Sequence, residues 1–332
     1  MPPDTLSEVL RAVRLTGAVF FSIDGSAPWL AETPPAREVG PHLMPGAEHV
    51  IEYHAVTSGS CYGGIVGEPP VRLETGDVIV FPQGDPHVIS SAPGMRGAVD
   101  YEAFRKARGC PLPIDLRLDG GGAERATVTC GFLGLDARPF NPLLAALPRV
   151  LHAPRLASGG GGLGPLVALA VGESTARAPG GEAVLARLSE LLFVEVVRRH
   201  LAALPPESRT WLSGLRDESV GRALGRLHEQ PARDWTLDEL ARESALSRSV
   251  LAERFTQFVG IAPMQYLAQW RMQLAASLLS STSAGLGEIA ERVGYGSEAA
   301  FSKAFKRTVG TTPADWRRGR RAVGGPPAES GA

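Results

Sequence analysis

Hydrophobic and polar positions give the chain two textures. Up to about residue 130 the apolar residues come in short runs, at 18–23, 50–56, 78–81 and 127–133, with Gly and Pro between them. Gly25, Pro28, Pro34-Pro35, Gly63-Gly64, Pro69-Pro70 and Gly84 supply turns, and residues 119–122 form a flexible connection. Short apolar runs bounded by turn residues predict many short strands in an antiparallel sandwich or barrel. Further on the pattern becomes helical. Residues 141–151 predict a short helix with Leu143, Leu144 and Leu147 on one face, and 158–164 a glycine-rich hinge. Residues 182–201 predict an amphipathic helix carrying Leu185, Leu188, Leu192 and Val196. It ends at Leu204-Pro205-Pro206, because proline cannot continue a helix.

The last third then repeats itself. Leu237-Asp238-Glu239-Leu240-Ala241, Leu251, Phe255, Val259-Gly260 and Pro263 recur as Leu286-Gly287-Glu288-Ile289-Ala290, Phe301, Phe305, Val309-Gly310 and Pro313. The offset is 49 early in the unit (286 minus 237) and 50 later (301 minus 251), so one copy has an extra residue in its internal turn. In the first copy Thr236 is placed to cap a helix starting at Leu237, with Glu239 completing a capping box. Ala241 is small where two helices approach. Ser247 caps a second helix whose Val250, Leu251, Phe255 and Phe258 are expected to face inward. Gly260 suits a left-handed cap and Pro263 opens the next helix. In the second copy Ser297 caps, Phe301 and Phe305 fill the core, and Gly310 and Pro313 repeat the stop and restart. Between the copies, Met264, Leu267, Trp270, Leu274 and Leu278 predict one continuous helix over 263–279. Two helix-turn-helix units on one chain point to two reading heads for DNA. A helical domain with duplicated packing and no DNA role is the bland alternative.

The early outward residues of a second helix reach base edges in the major groove. These are Arg248, Ser249, Ala252 and Glu253 in copy one, and Glu298, Ala299, Ser302 and Lys303 in copy two. Ser247, Ser297, Lys306, Arg307, Arg317 and Arg318 suit phosphate contacts. Composition narrows the picture. With 332 residues, 44% of them hydrophobic, there is room for two domains. A net charge of −1 removes any whole-chain basicity argument, so the DNA-binding surface must be local; residues 216–321 hold 16 basic and 12 acidic side chains. Lys106, Lys303 and Lys306 are the only lysines among 34 basic residues, a bias that reflects a GC-rich genome more than a function. No run of about 18 apolar residues offers a membrane span. Residues 1–17 have an acidic residue before any base and no long apolar run, so no signal peptide is expected. Cys61, Cys110 and Cys130 lack metal-like spacing and fit a reducing, cytoplasmic location.

Leu240-Ala241, Ser247, Leu251, Phe255, Gly260, Pro263 and Tyr266 are followed by Ile289-Ala290, Gly294-Tyr295, Ser297 and Phe301-Ser302-Lys303-Ala304-Phe305-Lys306-Arg307. With Gly310, Pro313 and Trp316-Arg317, this series resembles the DNA-binding domain of the AraC/XylS transcription regulators. The resemblance covers about the last third of the chain and implies sequence-specific binding to double-stranded promoter DNA. Ala252 and Glu253 depart from it, since many members carry longer polar or basic side chains there. Glu253 can accept from a cytosine amino group or repel phosphate.

Upstream, Gly76-x5-Pro82-x-Gly84-x2-His87 matches the second cupin motif, with Ser91 in place of its final Asn, and Glu52-x6-Gly59 matches the end of the first. With Cys130-Gly131-Phe132, the run 142–148 and Leu151-His152, this resembles the cupin-type sensing domain of one AraC branch, so the likeness spans nearly the whole chain. It implies a barrel with a pocket for a small organic effector, near which His49, Glu52, His54 and His87 are the candidate residues. Imidazoles suit Zn, Ni or Fe. Metal-binding cupins use a His-x-His pair that is missing here, so neither a metal nor a cofactor is assigned. His152 reads as structural, His200 and His228 as surface helix residues. Cys110 and Cys130 are the candidates for a redox signal. Cys130 lies inside an apolar strand, where a buried, inert thiol is the alternative; Cys110 lies between Gly109 and Pro111 and is expected to be exposed.

The expected architecture is therefore α+β and multidomain. A cupin-like antiparallel β-barrel is expected over 1–155, and a helical linker or dimerisation region over 156–212. An all-α domain with two helix-turn-helix motifs would occupy 213–321, and a disordered tail 322–332. The expected function is a DNA-binding transcription regulator, a homodimer, whose barrel responds to a small molecule or redox signal. No nucleophile–base constellation is visible, so no enzyme is expected. The alternatives are a metal-dependent cupin enzyme carrying a DNA-binding domain, and a regulator whose barrel serves only for dimerisation.

Overall fold

The computed structural model of the chain describes residues 4–106, 113–155, 162–176 and 178–324. They form two compact units that alternate along the sequence: 15–135 with 147–203, and the N-terminal residues to 14 with 136–146 and the chain from 204 onward. Boundaries expected at 155 and 212 are thus replaced by four crossings, and the reason is burial, described below.

The first unit holds ten strands among the described residues. They are β1 (Thr16–Ser26), β2 (Leu30–Thr33), β3 (His49–Ser58), β4 (Ser60–Ile65) and β5 (Val71–Glu74). β6 (Val78–Phe81), β7 (His87–Ser90), β8 (Ile114–Asp119), β9 (Arg125–Leu135) and β10 (Leu151–Ala153) follow. Six make a sheet in the order β10-β6-β3-β9-β1-β8 and four a second, β2-β7-β4-β5. β1 and β8 run parallel and the other pairs antiparallel. The interior is packed by Phe21, Ile23, Val56, Phe81, Val128 and Phe132.

Successive side chains of a strand point to opposite faces, and β3 is buried on both. Its even positions, Glu52 and His54 among them, turn into the barrel. Tyr53 turns the other way and its hydroxyl bonds the Ser189 hydroxyl at 2.6 Å. Gly131 on β9 makes room for that tyrosine, since a Cβ there would lie 2.3 Å from the ring. Ser189 belongs to helix α6, and four helices complete this unit. In chain order, with those of the other unit, the first six helices are α1 (Thr5–Ala12), α2 (Ala36–Leu43), α3 (Tyr101–Lys106), α4 (Pro142–Ala146), α5 (Leu163–Ala176) and α6 (Gly181–Ala203). α2, α3, α5 and α6 belong with the strands. Leu185, Leu188, Leu192, Phe193, Val196 and Val197 of α6 are buried. The region expected as a linker is therefore a layer of the barrel unit. α5 carries apolar residues on every side, so no stripe announced it.

The second unit contains α1, α4 and eight further helices. These are α7 (Trp211–Arg216), α8 (Glu218–Glu229), α9 (Leu237–Glu243), α10 (Arg248–Val259), α11 (Pro263–Ser281), α12 (Leu286–Arg292), α13 (Glu298–Val309) and α14 (Pro313–Gly324). α14 runs past 322, where a tail was expected to begin; residues 325–332 lie outside the described residues. The expected helix over 141–151 is cut to α4, because Pro148 blocks its continuation and Leu151 opens β10. Val9 of α1 is fully buried. Gln273, in the middle of α11, donates to the Ala12 carbonyl and accepts from the Phe140 N–H. Arg14 and Asp136 close the two segments with paired bonds of 2.6 and 2.9 Å. That buried side chain and that ion pair assign the N-terminal residues and 136–146 to the helical unit.

Candidate nucleic-acid interface and barrel site

Each helix-turn-helix is built by its caps. The Thr236 hydroxyl accepts from Glu239 N–H while the Glu239 carboxylate accepts from Thr236 N–H, the reciprocal box that starts α9. Ser247 accepts from Val250 N–H at the start of α10, and Ser297 from Ala300 N–H at the start of α13. Both helices end on left-handed glycines, Gly260 (φ 81°) and Gly310 (φ 86°), which side-chain-bearing residues rarely match. Leu251, Phe255 and Phe258 anchor α10, and Phe301, Ala304 and Phe305 anchor α13. These anchors leave the early opposite face bare. Arg248, Ser249, Glu253, Glu298, Ala299 and Lys303 are exposed, and Ala252 and Ser302 partly so. Among the phosphate candidates, Ser247, Ser297, Lys306, Arg307 and Arg318 are exposed; Arg318 pairs with Asp315. Arg248 lies 3.8 Å from Asp238.

Inside the barrel, register brings the second group together. His54 on β3 lies directly across from Cys130 on β9, and Gly84 (φ 67°) makes the turn that delivers His87. His54 Nδ1 is 2.9 Å from Cys130 Sγ, and His54 Nε2 is 2.7 Å from His87 Nε2. His87 Nδ1 is 2.8 Å from the Asp85 carbonyl, and its ring stacks on Phe81 at 3.8 Å. Glu52 Oε2 lies 3.6 Å from His87 Nε2, and neither carboxyl oxygen of Glu52 has a hydrogen-bond partner. All four side chains are buried.

Burial fixes the charge states. It pushes the Glu52 carboxyl and the Cys130 thiol well above their usual ranges and His54 well below its own, and lowers His87 to about 4. All four groups are therefore neutral, and the hydrogens can be placed. A carbonyl can only accept, so His87 Nδ1 carries a hydrogen and His87 Nε2 accepts. His54 Nε2–H then donates to it, and His54 Nδ1 accepts from the Cys130 thiol. The result is one directed chain, Cys130 to His54 to His87 to Asp85. It does not fit a metal. Two imidazole nitrogens on one tetrahedral zinc stand about 3.3 Å apart, whereas these are 2.7 Å apart. Among the described residues, no three His, Cys, Asp or Glu could hold an ion. His49 is engaged elsewhere, donating from Nε2 to the Pro82 carbonyl at 2.6 Å. Cys110 lies outside the described residues.

Beside this chain is a cavity of about 240 Å³, lined by both His54 and Cys130. Most of its remaining wall is apolar, with Phe21, Ile23, Leu30, Phe104 and Phe132 among the lining residues.

Residues 4–202 match the Cupin family and residues 240–319 the Helix-turn-helix domain family. An AraC-like transcription regulator of Streptomyces lividans is 34% identical over 82% of this chain and 88% of its own. The chain belongs to the AraC-like transcription regulators. The HTH-type transcriptional regulator AlkR of Acinetobacter baylyi is 27% identical over 95% of this chain and 99% of its own. The RCS-specific HTH-type transcriptional activator RclR of Escherichia coli is 29% identical over 82% and 86%. This AraC-like protein is thus a DNA-binding transcription regulator with an N-terminal cupin domain.

Three placements in the regulator differ from the sequence reading. Val250 is 46% exposed instead of inward, because it precedes the anchor Leu251 and so stands among the base-reading candidates. An exposed valine there suits a thymine methyl; its neighbours on α10 were signal enough to have found it. Arg317 donates to the Leu279 and Ala284 carbonyls at 3.3 and 2.6 Å. Its guanidinium thus ties α14 to the end of α11, where a phosphate contact was expected. His228 is buried, tilted against Trp270 at 4.1 Å with Nε2 2.7 Å from the Tyr266 hydroxyl. Burial lowers it to about 3, so it is a neutral core residue and not a surface one.

Proposed function

We propose that this protein is an effector-responsive promoter-binding regulator. In this reading α10 and α13 enter successive major grooves, and the barrel cavity takes a small molecule that changes DNA affinity. The observation that carries the reading is the repeated pair of capped helices on either side of α11. At 1.5 Å per residue that spacer is about 28 Å long, close to the roughly 34 Å of one duplex turn. Arg248, Ser249, Val250, Ala252 and Glu253 then read one half-site, and Glu298, Ala299, Ser302 and Lys303 the other. Ser247, Ser297, Lys306, Arg307 and Arg318 hold phosphates. The cavity wall, with His54 and Cys130 in it and His87 and Glu52 behind, is the effector site, and the protein acts as a homodimer in the compartment that holds the chromosome. As a buried neutral thiol, Cys130 is not primed for spontaneous oxidation.

Binding-site mapping with purified protein and genomic fragments at physiological salt tests this. The expected outcome is a shared motif with two half-sites about one helical turn apart. Lys303→Ala should then lose about 1–3 kcal/mol of discrimination at one base position. Lys306→Ala should weaken all sequences alike and reduce the salt slope by about 1. If both variants weaken target and scrambled DNA equally, the division into base readers and phosphate anchors is wrong.

A further inference from the structure

The cavity's lining limits what can occupy it. No Lys or Arg lines it among the described residues, and its charged wall groups, Glu32 and Asp100, are carboxylates. Glu32 is already held by Arg96 through two bonds of 3.0 and 2.8 Å. Among the described residues an anionic guest meets no free counter-charge, and their lining suits an uncharged, largely apolar molecule. At the same wall stands a thiol whose proton already points at an imidazole nitrogen, and a second imidazole stands ready to accept from the first.

Resting on the reading of the cavity as the effector site, we propose that it captures its guest covalently. Cys130 adds to uncharged apolar molecules bearing a carbonyl-conjugated double bond, with His54 as base and His87 as the next proton carrier. Cys130 Sγ forms a bond to the β-carbon, and the C=C π pair moves towards the carbonyl oxygen as an enolate. The thiol proton passes to His54 Nδ1, and the Nε2 proton of His54 passes to His87 Nε2. The positive charge that reaches His87 is balanced by the enolate itself, and the carboxyl oxygen Glu52 Oε2, 3.6 Å from that nitrogen, faces the arriving N–H as a neutral acceptor. The same path in reverse returns the proton to the enolate α-carbon. The product is a thioether containing every atom of both reactants, with no oxidant, reductant or co-reactant consumed.

Cys61 supplies an internal comparison. It is equally buried, burial raises its thiol as it raises that of Cys130, and the difference is that among the described residues no imidazole bonds to it. A small polar oxidant would need no aromatic-lined cavity, whereas a conjugated apolar carbonyl compound fits one.

The probe is benzylideneacetone, an uncharged aromatic enone, added to the full-length protein. Intact mass and peptide mapping should show one adduct of the probe's mass, on Cys130 and not on Cys61. The saturated ketone benzylacetone should slow labelling by occupying the cavity, and the 4-carboxy enone, as electrophilic but anionic, should label far more slowly. His54→Gln should slow the adduct by about 10²-fold, the lower end of what a positioned base contributes. Should that variant not fold, His87→Gln and the competition in the unaltered protein carry the test. Equal rates with and without His54, an adduct on Cys61 instead, equal labelling by the anionic enone, or labelling only of urea-unfolded chain would each overturn the proposal. Promoter affinity is measured beside the mass. If Cys130 is labelled and affinity does not move, capture stands and the effector reading falls. If benzylacetone alone moves affinity and no adduct forms with the enone, the effector reading stands and capture falls.

Discussion

Glu52 has both carboxyl oxygens buried without a partner, and burial holds it protonated. Its folded affinity for the proton exceeds that of the unfolded chain, so its stabilising effect is complete below about pH 4.5 and is lost as pH rises. His54 and His87 act in the opposite sense. Both are depressed by burial, so their contribution is present above about pH 6.5 and is lost as pH falls, for His87 through about 4. Glu52→Gln keeps the shape and removes the first effect alone. Its stability should exceed that of the unaltered protein by a margin growing about 1.4 kcal/mol per pH unit above pH 4.5. The acid limb should remain in both proteins. Urea titrations at several pH values measure this, and a margin independent of pH would mean that Glu52 is ionised in the fold. Sequence reading reached Glu52 through the match to the end of the first cupin motif, and His54 as an imidazole beside it. It reached His87 through the turn glycines of its motif. The bond from His54 to Cys130 joins residues 76 positions apart, and nothing local predicts which strand becomes the neighbour. His49 shows the converse: proximity in sequence put it among the candidates, and its bond to a carbonyl removes it.

Helices were legible in proportion to how much local chemistry marks their ends. Thr236, Ser247, Ser297, Gly260, Gly310 and Pro263 stand at the caps their types favour. α5, apolar all round, carries no such marks. The direction of α6 was readable from its periodicity, but what it packs against was not, because a stripe does not name its partner. The stripe is also not the whole apolar surface of these helices. Val184 and Leu191 remain 40% and 52% exposed, seven residues apart on one side of α6, and Leu169 of α5 is 54% exposed. Such a face is where the proposed homodimer would pack. Leu191→Glu should convert a dimeric species to a monomer in sedimentation velocity and leave the circular dichroism spectrum unchanged. If the unaltered protein already sediments as a monomer, the homodimer proposal falls; if both proteins sediment as dimers, the interface lies on another surface.

At the scale of the whole chain, the sequence reading placed each fold class correctly and drew its boundaries from texture. Texture follows local periodicity, whereas membership of a unit follows burial. The short apolar face read at Leu143 and Leu144 does not say which unit it joins, α1 is only eight residues long, and the side chain that claims both segments is Gln273, far along the chain on α11. Gln273 is fully buried, and its amide satisfies one buried carbonyl at Ala12 and one N–H at Phe140. Removing it leaves both without their partner, at about 1–3 kcal/mol each. Gln273→Ala in the full chain should therefore speed amide exchange across 5–12 and 136–146 and lower the unfolding temperature of the helical unit. The barrel strands should exchange as before, since none of these groups belongs to them. A helix that only needed a polar residue for solubility would show neither effect, and Gln273→Glu separates the two explanations. A carboxylate can still accept from Phe140 N–H but cannot donate to the Ala12 carbonyl, so protection at 136–146 should largely survive while that at 5–12 is lost. Equal loss at both segments would mean that they dock as a single block, held by the paired bonds of Arg14 and Asp136 more than by the amide between them.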